Sequence, residues 1–241
     1  MGIKNILKNF GKNTLYYPGC MLKNVLKTEH ENYKKILNKL GIDFILLAEE
    51  ELCCGSPVYN AGYKKEARKL AKKNFEIFKK RKINKIITPC PGCYNMFHNE
   101  YPNLIRDWNI EVEYAWITIL KKLKKKKIKN KTHEIVTYHD PCHLGRYSGI
   151  YEEPREIIRL LGGNLKEMKS NHENAQCCGA GGGLRSNFPT TAKKIAKNRT
   201  SESPVDAQKI LTPCGLCHSN LSTADDRSEE LSTWVLRRLE K

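Results

Sequence analysis

The sequence lacks a long hydrophobic run. Nothing in it approaches the ~18 consecutive apolar residues of a membrane-spanning helix, and residues 44–48 and 116–120 are typical of its longest. A secretion signal is missing too, because lysines and asparagines punctuate residues 1–17. So is a myristoylation pattern, since Ile6 stands where Ser or Thr is needed. These absences predict a cytoplasmic protein without a membrane span, reaching a membrane only through a partner subunit. Cysteine, at ten residues in 241 or about 4 %, is too sparse for the ~8–10 % of a disulfide scaffold. Without a secretion signal, metal binding or redox chemistry is the better expectation for those thiols. Glutamine occurs only at Gln176 and Gln208 while lysine is frequent, a thermophilic leaning that abundant asparagine opposes. Acidic residues are scarce: 26 against 43 basic ones leave a formal charge of +17. A hydrophobic fraction of 39 % is still enough for packed cores and too much for a disordered chain.

The cysteines that are present fall into two sets of five. The first is Cys20, Cys53, Cys54, Cys90 and Cys93; the second is Cys142, Cys177, Cys178, Cys214 and Cys217. Steps between neighbours are 33, 1, 36 and 3 in the first set and 35, 1, 36 and 3 in the second. The last four members of the two sets are related by one offset of 124 residues. Flanking residues follow it: Thr88-Pro89-Cys90 faces Thr212-Pro213-Cys214, and Cys53-Cys54-Gly55 faces Cys177-Cys178-Gly179. Tyr16 and Leu22 around Cys20 match Tyr138 and Leu144 around Cys142. The chain is therefore an internal duplication. Between the copies, residues 121–131 hold eight lysines in eleven positions and read as a solvated linker. The expected domains are 1–120 and 132–241, joined by 121–131.

Hydrophobic patterning predicts the same order of elements in each half. In the first, a strand at 14–17 leads to Cys20. A helix follows with a capping box of Thr28 and Glu31 and an apolar face of Tyr33, Ile36, Leu37 and Leu40, closed by Gly41. Residues 43–47 read as a buried strand. A second helix presents Tyr63, Ala67, Leu70, Ala71 and Phe78, and a strand at 85–88 runs into Cys90. In the second half the predicted elements are strands at 134–139, 165–168 and 208–211 and helices at 153–161, 189–199 and 228–240. The fold class is α/β, with two duplicated halves. Each is a small parallel sheet flanked by helices, with right-handed crossovers and cysteines at the strand C-terminal ends. Open α/β sheets collect ligands at that edge, so thiols distant in sequence should converge at one crevice per half.

Zinc, an iron–sulfur cluster and dithiol exchange at Cys90-Pro91-Gly92-Cys93 all use such residues. A zinc site needs four ligands and usually pairs two C-x-x-C turns, whereas each half offers one such turn, a vicinal pair and a fifth thiol. Dithiol exchange leaves three thiols of each set unused. Thiolate-only ligation with more than four sulfurs suits an iron–sulfur cluster best.

The duplicated pattern C-x(32–34)-C-C-G-x(34)-C-x-x-C resembles the cysteine-rich CCG family from Tyr16 to about Leu221. That family includes the B and D subunits of heterodisulfide reductase, with relatives in thiol:fumarate reductase, glycolate and lactate oxidation and anaerobic glycerol-3-phosphate dehydrogenase. Residues 139–146, His-Asp-Pro-Cys-His-Leu-Gly-Arg, and 177–183 are close to the D-type and oxidase-associated branch. The resemblance implies a noncubane 4Fe-4S cluster on Cys20, Cys53, Cys54, Cys90 and Cys93, and another on Cys142, Cys177, Cys178, Cys214 and Cys217. It also implies an oxidoreductase subunit acting on sulfur or hydroxyacid groups. Some relatives keep one motif or load one with zinc. The run C-x2-C-x2-C-x3-C-P is absent, so no ordinary ferredoxin cluster is built from this chain. A ferredoxin-type iron–sulfur subunit or a flavoprotein subunit is the expected partner.

Weaker signals have duller readings. Gly179-Ala180-Gly181-Gly182-Gly183 lacks the Gly-Lys-Ser/Thr of a phosphate loop and reads as close backbone approach to a cluster. His139, His143 and His218 stand beside cysteines as hydrogen-bond donors to sulfur or as proton donors. Arg146 and Arg185 would orient an anionic substrate or offset cluster charge. Ile3, Ile6, Leu7 and Phe10 have helical spacing and would pack on the protein's own body. No nucleic acid is expected, because the lysines lie on helix faces and the linker without an aromatic–basic motif. Ten bound thiolates and two cluster cores would reduce the formal charge to about +11.

Overall fold

The computed structural model describes residues 13–126 and 134–240. The apolar positions Ile3 to Phe10 and the linker lysines Lys127, Lys129 and Lys131 lie outside them. The first half opens with β1 (Asn13–Tyr16), which Pro18 and Gly19 end. Helices α1 (Cys20–Asn24) and α2 (Lys27–Lys39) follow. In α2, Tyr33, Ile36 and Leu37 bury one face, as their spacing predicts. The capping box does not form. Leu26 is the N-cap, without a side-chain cap bond, and Thr28 lies inside the first turn. Short α3 (Ser56–Asn60) precedes α4 (Lys64–Lys80), which buries Ala67, Ala71, Asn74, Phe75 and Phe78. Tyr63, expected on that face, is exposed outside the helix. Strand β2 (Ile83–Thr88) leads to α5 (Pro91–Asn95), which runs through a π-helical turn (Met96–Glu100) into α6 (Tyr101–Leu104). Strand β3 (Glu111–Tyr114) then enters α7 (Ala115–Leu123).

The second half repeats this plan. Strand β4 (Ile135–Tyr138) is followed by α8 (Glu152–Leu160) and a two-residue strand β5 (Asn164–Leu165). A long loop leads to α9 (Leu184–Asn187) and α10 (Pro189–Thr200). Strand β6 (Lys209–Thr212) precedes α11 (Gly215–Leu221), and β7 (Ser228–Glu230) precedes α12 (Leu231–Leu239). Residues 228–230 are thus a strand, where the patterning predicts one helix from 228.

Both sheets are parallel throughout. The first has the order β1-β2-β3, with Ile45 bridging to Leu15 beyond β1; the second has the order β5-β4-β6-β7. Residues 43–47 therefore supply a single bridge instead of a buried strand. They form the outer edge, where Asp43 and Leu46 face solvent. Counting that bridge, both sheets have the chain order second-first-third-fourth.

The two halves share their largest core cluster, beside a smaller one within each half. Helix α2 packs against α12, and α7 packs against α8, so each half's closing helix covers the other half's first long helix. Tyr33, Ile36, Leu37, Trp116 and Ile119 from one half join Ile157, Ile158, Trp234 and Val235 from the other in a single buried cluster. Polar links cross the same seam. Asn32 Nδ2 donates to Thr233 Oγ1 at 3.0 Å, Tyr33 Oη to Glu230 Oε1 at 2.8 Å, and Tyr114 Oη to the Pro213 carbonyl at 2.9 Å. Burial raises the Glu230 carboxyl to about 8, against the donors from Ser232 and Tyr33. The start of the lysine run is not a free linker. α7 continues through Leu123, Lys121 pairs with Glu113, and Lys126 Nζ donates to the Lys39 carbonyl at the end of α2, 3.0 Å away. Among the described residues, no helix is long and apolar enough to cross a membrane.

Candidate metal centre

Each half builds its site from three backbone devices. The first is the C-x-x-C turn. Cys90 and Cys214 are the extended N-cap residues of α5 and α11, and Cys93 and Cys217 lie one turn in. Three-residue spacing on a helical turn places both thiols on one side of the helix start, where backbone N–H groups lack intrahelical acceptors. Cys214 is held below its ordinary thiol range by the Cys217 thiol and then, against burial, by the amides of Cys217 and Leu216.

The second device is the vicinal pair followed by glycine. Gly55 and Gly179 adopt φ of +89° and +81°, and each amide donates to the first cysteine of its pair at 3.4 Å. A side chain at position 179 would also meet the Ala192 carbonyl at 2.9 Å. Glycine is needed for conformation and for space. The third device is the turn after the first strand of each half, carrying Cys20 and Cys142. A Cβ on Gly19 would lie 2.9 Å from Cys93 Sγ, so the C-x-x-C thiols press directly against that turn.

Together these devices gather all ten cysteines predicted from the sequence. In the first half, thiol-to-thiol hydrogen bonds link Cys53 to Cys54, Cys54 to Cys93 and Cys93 to Cys90, while burial and the nearby Cys90 and Cys54 raise Cys20. In the second, the run is Cys142, Cys177, Cys178, Cys217 and Cys214. Cys54 and Cys177 are lowered by their thiol neighbours, Cys53 and Cys93 at the first and Cys142 and Cys178 at the second, as Cys214 is by Cys217. Cys20 and Cys177 are exposed, Cys54, Cys93, Cys178 and Cys217 are buried, and all ten are free thiols. Five converging thiols, without a disulfide among the described residues, are the donor set of an iron–sulfur cluster, and the residues fit that group.

The supporting residues differ between halves. His139 is 1 % exposed, and its Nδ1 accepts from Arg199 Nε at 2.9 Å. Burial, then the Arg199 charge, lowers its pKa to about 3. One of its ring nitrogens lies within 4.8 Å of Cys178 and Cys217 Sγ. His143 is lowered by burial, while Cys54 of one half and Cys177 of the other both raise it. His218 Nδ1 meets Ser228 Oγ at 3.3 Å. Arg146 and Arg185 have structural contacts: Arg146 Nη1 donates to the Ala175 carbonyl at 2.7 Å, and Arg185 to Ser219.

Patterning misses the clamps that hold the loops. Asp140 receives two bonds from buried Arg155, at 2.7 and 2.8 Å, and one from the His172 amide at 2.9 Å. Asn74 Nδ2 donates to the Cys53 carbonyl at 2.9 Å and to Tyr101 Oη at 3.0 Å; Tyr101 Oη donates to the Cys54 carbonyl at 3.1 Å. One signal for them lies in the repeat itself. Ala67, Ala71 and Asn74 match Ala192, Ala196 and Arg199 in spacing, marking Asn74 and Arg199 as equivalent polar positions on buried helix faces.

A duplicated α/β protein that gathers five thiols at the strand ends of each half belongs to the class of cysteine-rich metal-site proteins. The Cysteine-rich domain model, CCG, matches residues 14–98 and again 136–222, and the chain belongs to that family. It is 34 % identical over 222 residues to the D subunit of the dihydromethanophenazine:CoB–CoM heterodisulfide reductase of Methanosarcina acetivorans, covering 89 % of this chain and 54 % of that one. It is 33 % identical to the probable iron-sulfur-binding oxidoreductase FadF of Bacillus subtilis (84 % of this chain, 30 % of that one). It is 34 % identical to the EtfAB:quinone oxidoreductase of Syntrophomonas wolfei (88 % and 32 %). The chain thus spans about half the length of the heterodisulfide reductase protein and about a third of the other two.

Proposed function

We propose that the chain is an iron–sulfur subunit of an oxidoreductase complex of heterodisulfide reductase type, holding one or two noncubane 4Fe-4S clusters for disulfide reduction. The observation that carries this reading is the convergence of the ten cysteines into two sets of five free thiols. One set would use Cys20, Cys53, Cys54, Cys90 and Cys93, and the other Cys142, Cys177, Cys178, Cys214 and Cys217. When bound, such a cluster supplies electron storage at a sulfur-ligated iron. The protein contributes a fixed thiol geometry, amide donors from Gly55 and Gly179, and exposure of one edge of each set at Cys20 and Cys177. Electrons would be exchanged with a ferredoxin-type or flavoprotein subunit, and a basic surface favours an acidic partner.

A second reading makes the chain an electron-transfer subunit of a flavin-dependent oxidoreductase acting on a hydroxyacid or glycerol 3-phosphate. What favours it is the equal identity, 34 %, to the EtfAB:quinone oxidoreductase and to the heterodisulfide reductase protein. Turnover with an artificial electron donor separates the two, because only the first reading predicts reduction of a heterodisulfide by this subunit itself.

The decisive experiment is anaerobic purification followed by iron, sulfide and zinc analysis. About four irons and four sulfides per filled site, and so about eight of each with both sites filled, are expected with a visible absorption band. Zinc in a colourless protein would overturn the proposal. With both sites filled, Cys53→Ser and Cys177→Ser should each lose about half the iron, and full iron in either variant would then refute the ligand assignment.

A further inference from the structure

The two sites have the same thiols but different neighbours. Tyr17 and His139 occupy one position of the repeat: the Tyr17 amide donates to the Ile87 carbonyl and the His139 amide to the Leu211 carbonyl, both at 2.9 Å. Tyr17 sends its hydroxyl away from the thiols, to the Leu52 carbonyl at 2.5 Å. Its half has Asn74 where the second half has Arg199, and Asn74 is spent on the Cys53 carbonyl and Tyr101. The first half therefore places neither a histidine nor a buried cation at these positions.

In the second half, Arg199 fixes the state of the imidazole. A guanidinium N–H can only donate, so Nδ1 of His139 must present its lone pair. A neutral imidazole then carries its one proton on Nε2. Nε2 is buried and finds no hydrogen-bond partner among the described residues. A buried N–H without an acceptor is destabilising, so this one calls for a partner. The ring lies beside Cys178 and Cys217. Arg199 is held in turn, its Nη1 donating to the Ser170 carbonyl at 2.8 Å and to Glu202 Oε2 at 2.5 Å.

We propose that His139 is a hydrogen-bond donor to sulfur at the second site and not a metal ligand, and that the Arg199–His139 pair sets the reduction potential of that site above that of the first. Although His139, Cys178 and Cys217 have the spacing of a metal triad, a nitrogen that bears a proton has no lone pair for a metal. An N–H aimed at cluster sulfur stabilises the more negative, reduced state, and the nearby Arg199 acts in the same direction. The two sites would then be filled by electrons in a fixed order, the second before the first. This inference rests on the iron–sulfur reading above.

The test uses the full chain in two backgrounds, Cys177→Ser to isolate the first site and Cys53→Ser to isolate the second. Iron content and the midpoint potential, followed by electron paramagnetic resonance, are measured in each. The second site should have the higher midpoint. In the Cys53→Ser background, His139→Leu should keep its iron and lower the midpoint, while His139→Gln, which retains an N–H, should keep both near the starting values. Arg199→Asn, which copies the first half, should lower the midpoint without loss of iron. Loss of iron in both His139 variants would identify His139 as a ligand and overturn the proposal. An unchanged or raised midpoint in His139→Leu would overturn it as well. A parent chain without iron would instead refute the iron–sulfur reading itself.

Discussion

At the scale of single residues, the second site is held by a buried ion cluster. Arg155 is fully buried, and all its N–H groups are engaged, by Asp140, Glu167 and the Tyr151 carbonyl. Its guanidinium also lies 4.7 Å from the centre of the Tyr138 ring. Removing one partner of such a cluster leaves a buried charge uncompensated, so Arg155→Met should lower the unfolding free energy by about 3–5 kcal/mol in urea titrations. Asp140 precedes Cys142 by two residues, and the same variant should lose iron from the second site only. In the first half the sensitive residue is Gly19, with φ +78° and ψ 160°. That region is nearly closed to other residues, and Gly19→Ala should cost about 1–3 kcal/mol by thermal unfolding. Its new methyl would also displace Cys93, so the iron content should fall to the share of the second site.

At the scale of elements, the seam between the halves passes under α11. A Cβ on Gly215 would lie 2.8 Å from Leu26 Cδ1 and 3.6 Å from Met21 Cγ, at the junction of α1 and α2. Leu26 can yield, so Gly215→Ala should be tolerated. Gly215→Val drives a branched side chain into that packing and should cost about 1–3 kcal/mol, read by urea unfolding. Elements also explain why some of the patterning misleads. β3, Glu-Val-Glu-Tyr, alternates over only four residues, and β7, Ser-Glu-Glu, has no apolar residue at all, so neither stands out as a strand. Their carboxylates find donors from elsewhere in the fold: Glu113 from Lys85, Thr118 and Lys121, and Glu230 from Tyr33 and Ser232. Residues 43–47 mislead the other way, since an apolar run at a sheet edge needs only one bridge to be placed.

At the scale of the whole molecule, the shared core couples the halves. The apolar faces of α2 and α7 are covered by α12 and α8 of the other half. Residues 1–126 expressed alone should therefore not remain a folded monomer, and a second copy should take the place of the missing half. Light scattering with circular dichroism checks this, and a stable, folded monomer would contradict the shared core. The seam also predicts a pH dependence. Glu230 titrates at about 8 in the fold against 4.5 ordinarily, so between these values the folded chain holds a proton that the unfolded chain releases. Stability contributed by this group is full below about pH 4.5 and is lost as the pH rises through about 8. The slope is at most about 1.4 kcal/mol per pH unit, and Glu230→Gln should remove it from a pH series of unfolding curves.

The sequence by itself determined the duplication, the membership of the two cysteine sets and the strands that lead to them. These are legible because cysteine spacing and apolar runs such as residues 135–138 and 209–212 are local properties of the chain. Only the tertiary structure decided which half covers which helix, because both apolar faces of α2 and α7 would serve equally well against their own half. The repeat marks Asn74 and Arg199 as equivalent positions, but only the tertiary structure shows what each of them holds. Their partners, the Cys53 carbonyl and the His139 ring, lie 21 and 60 residues away in sequence, beyond the reach of any periodicity. The equal cysteine sets suggest two equal sites, and it is the unequal second row of residues, visible only in three dimensions, that makes them different.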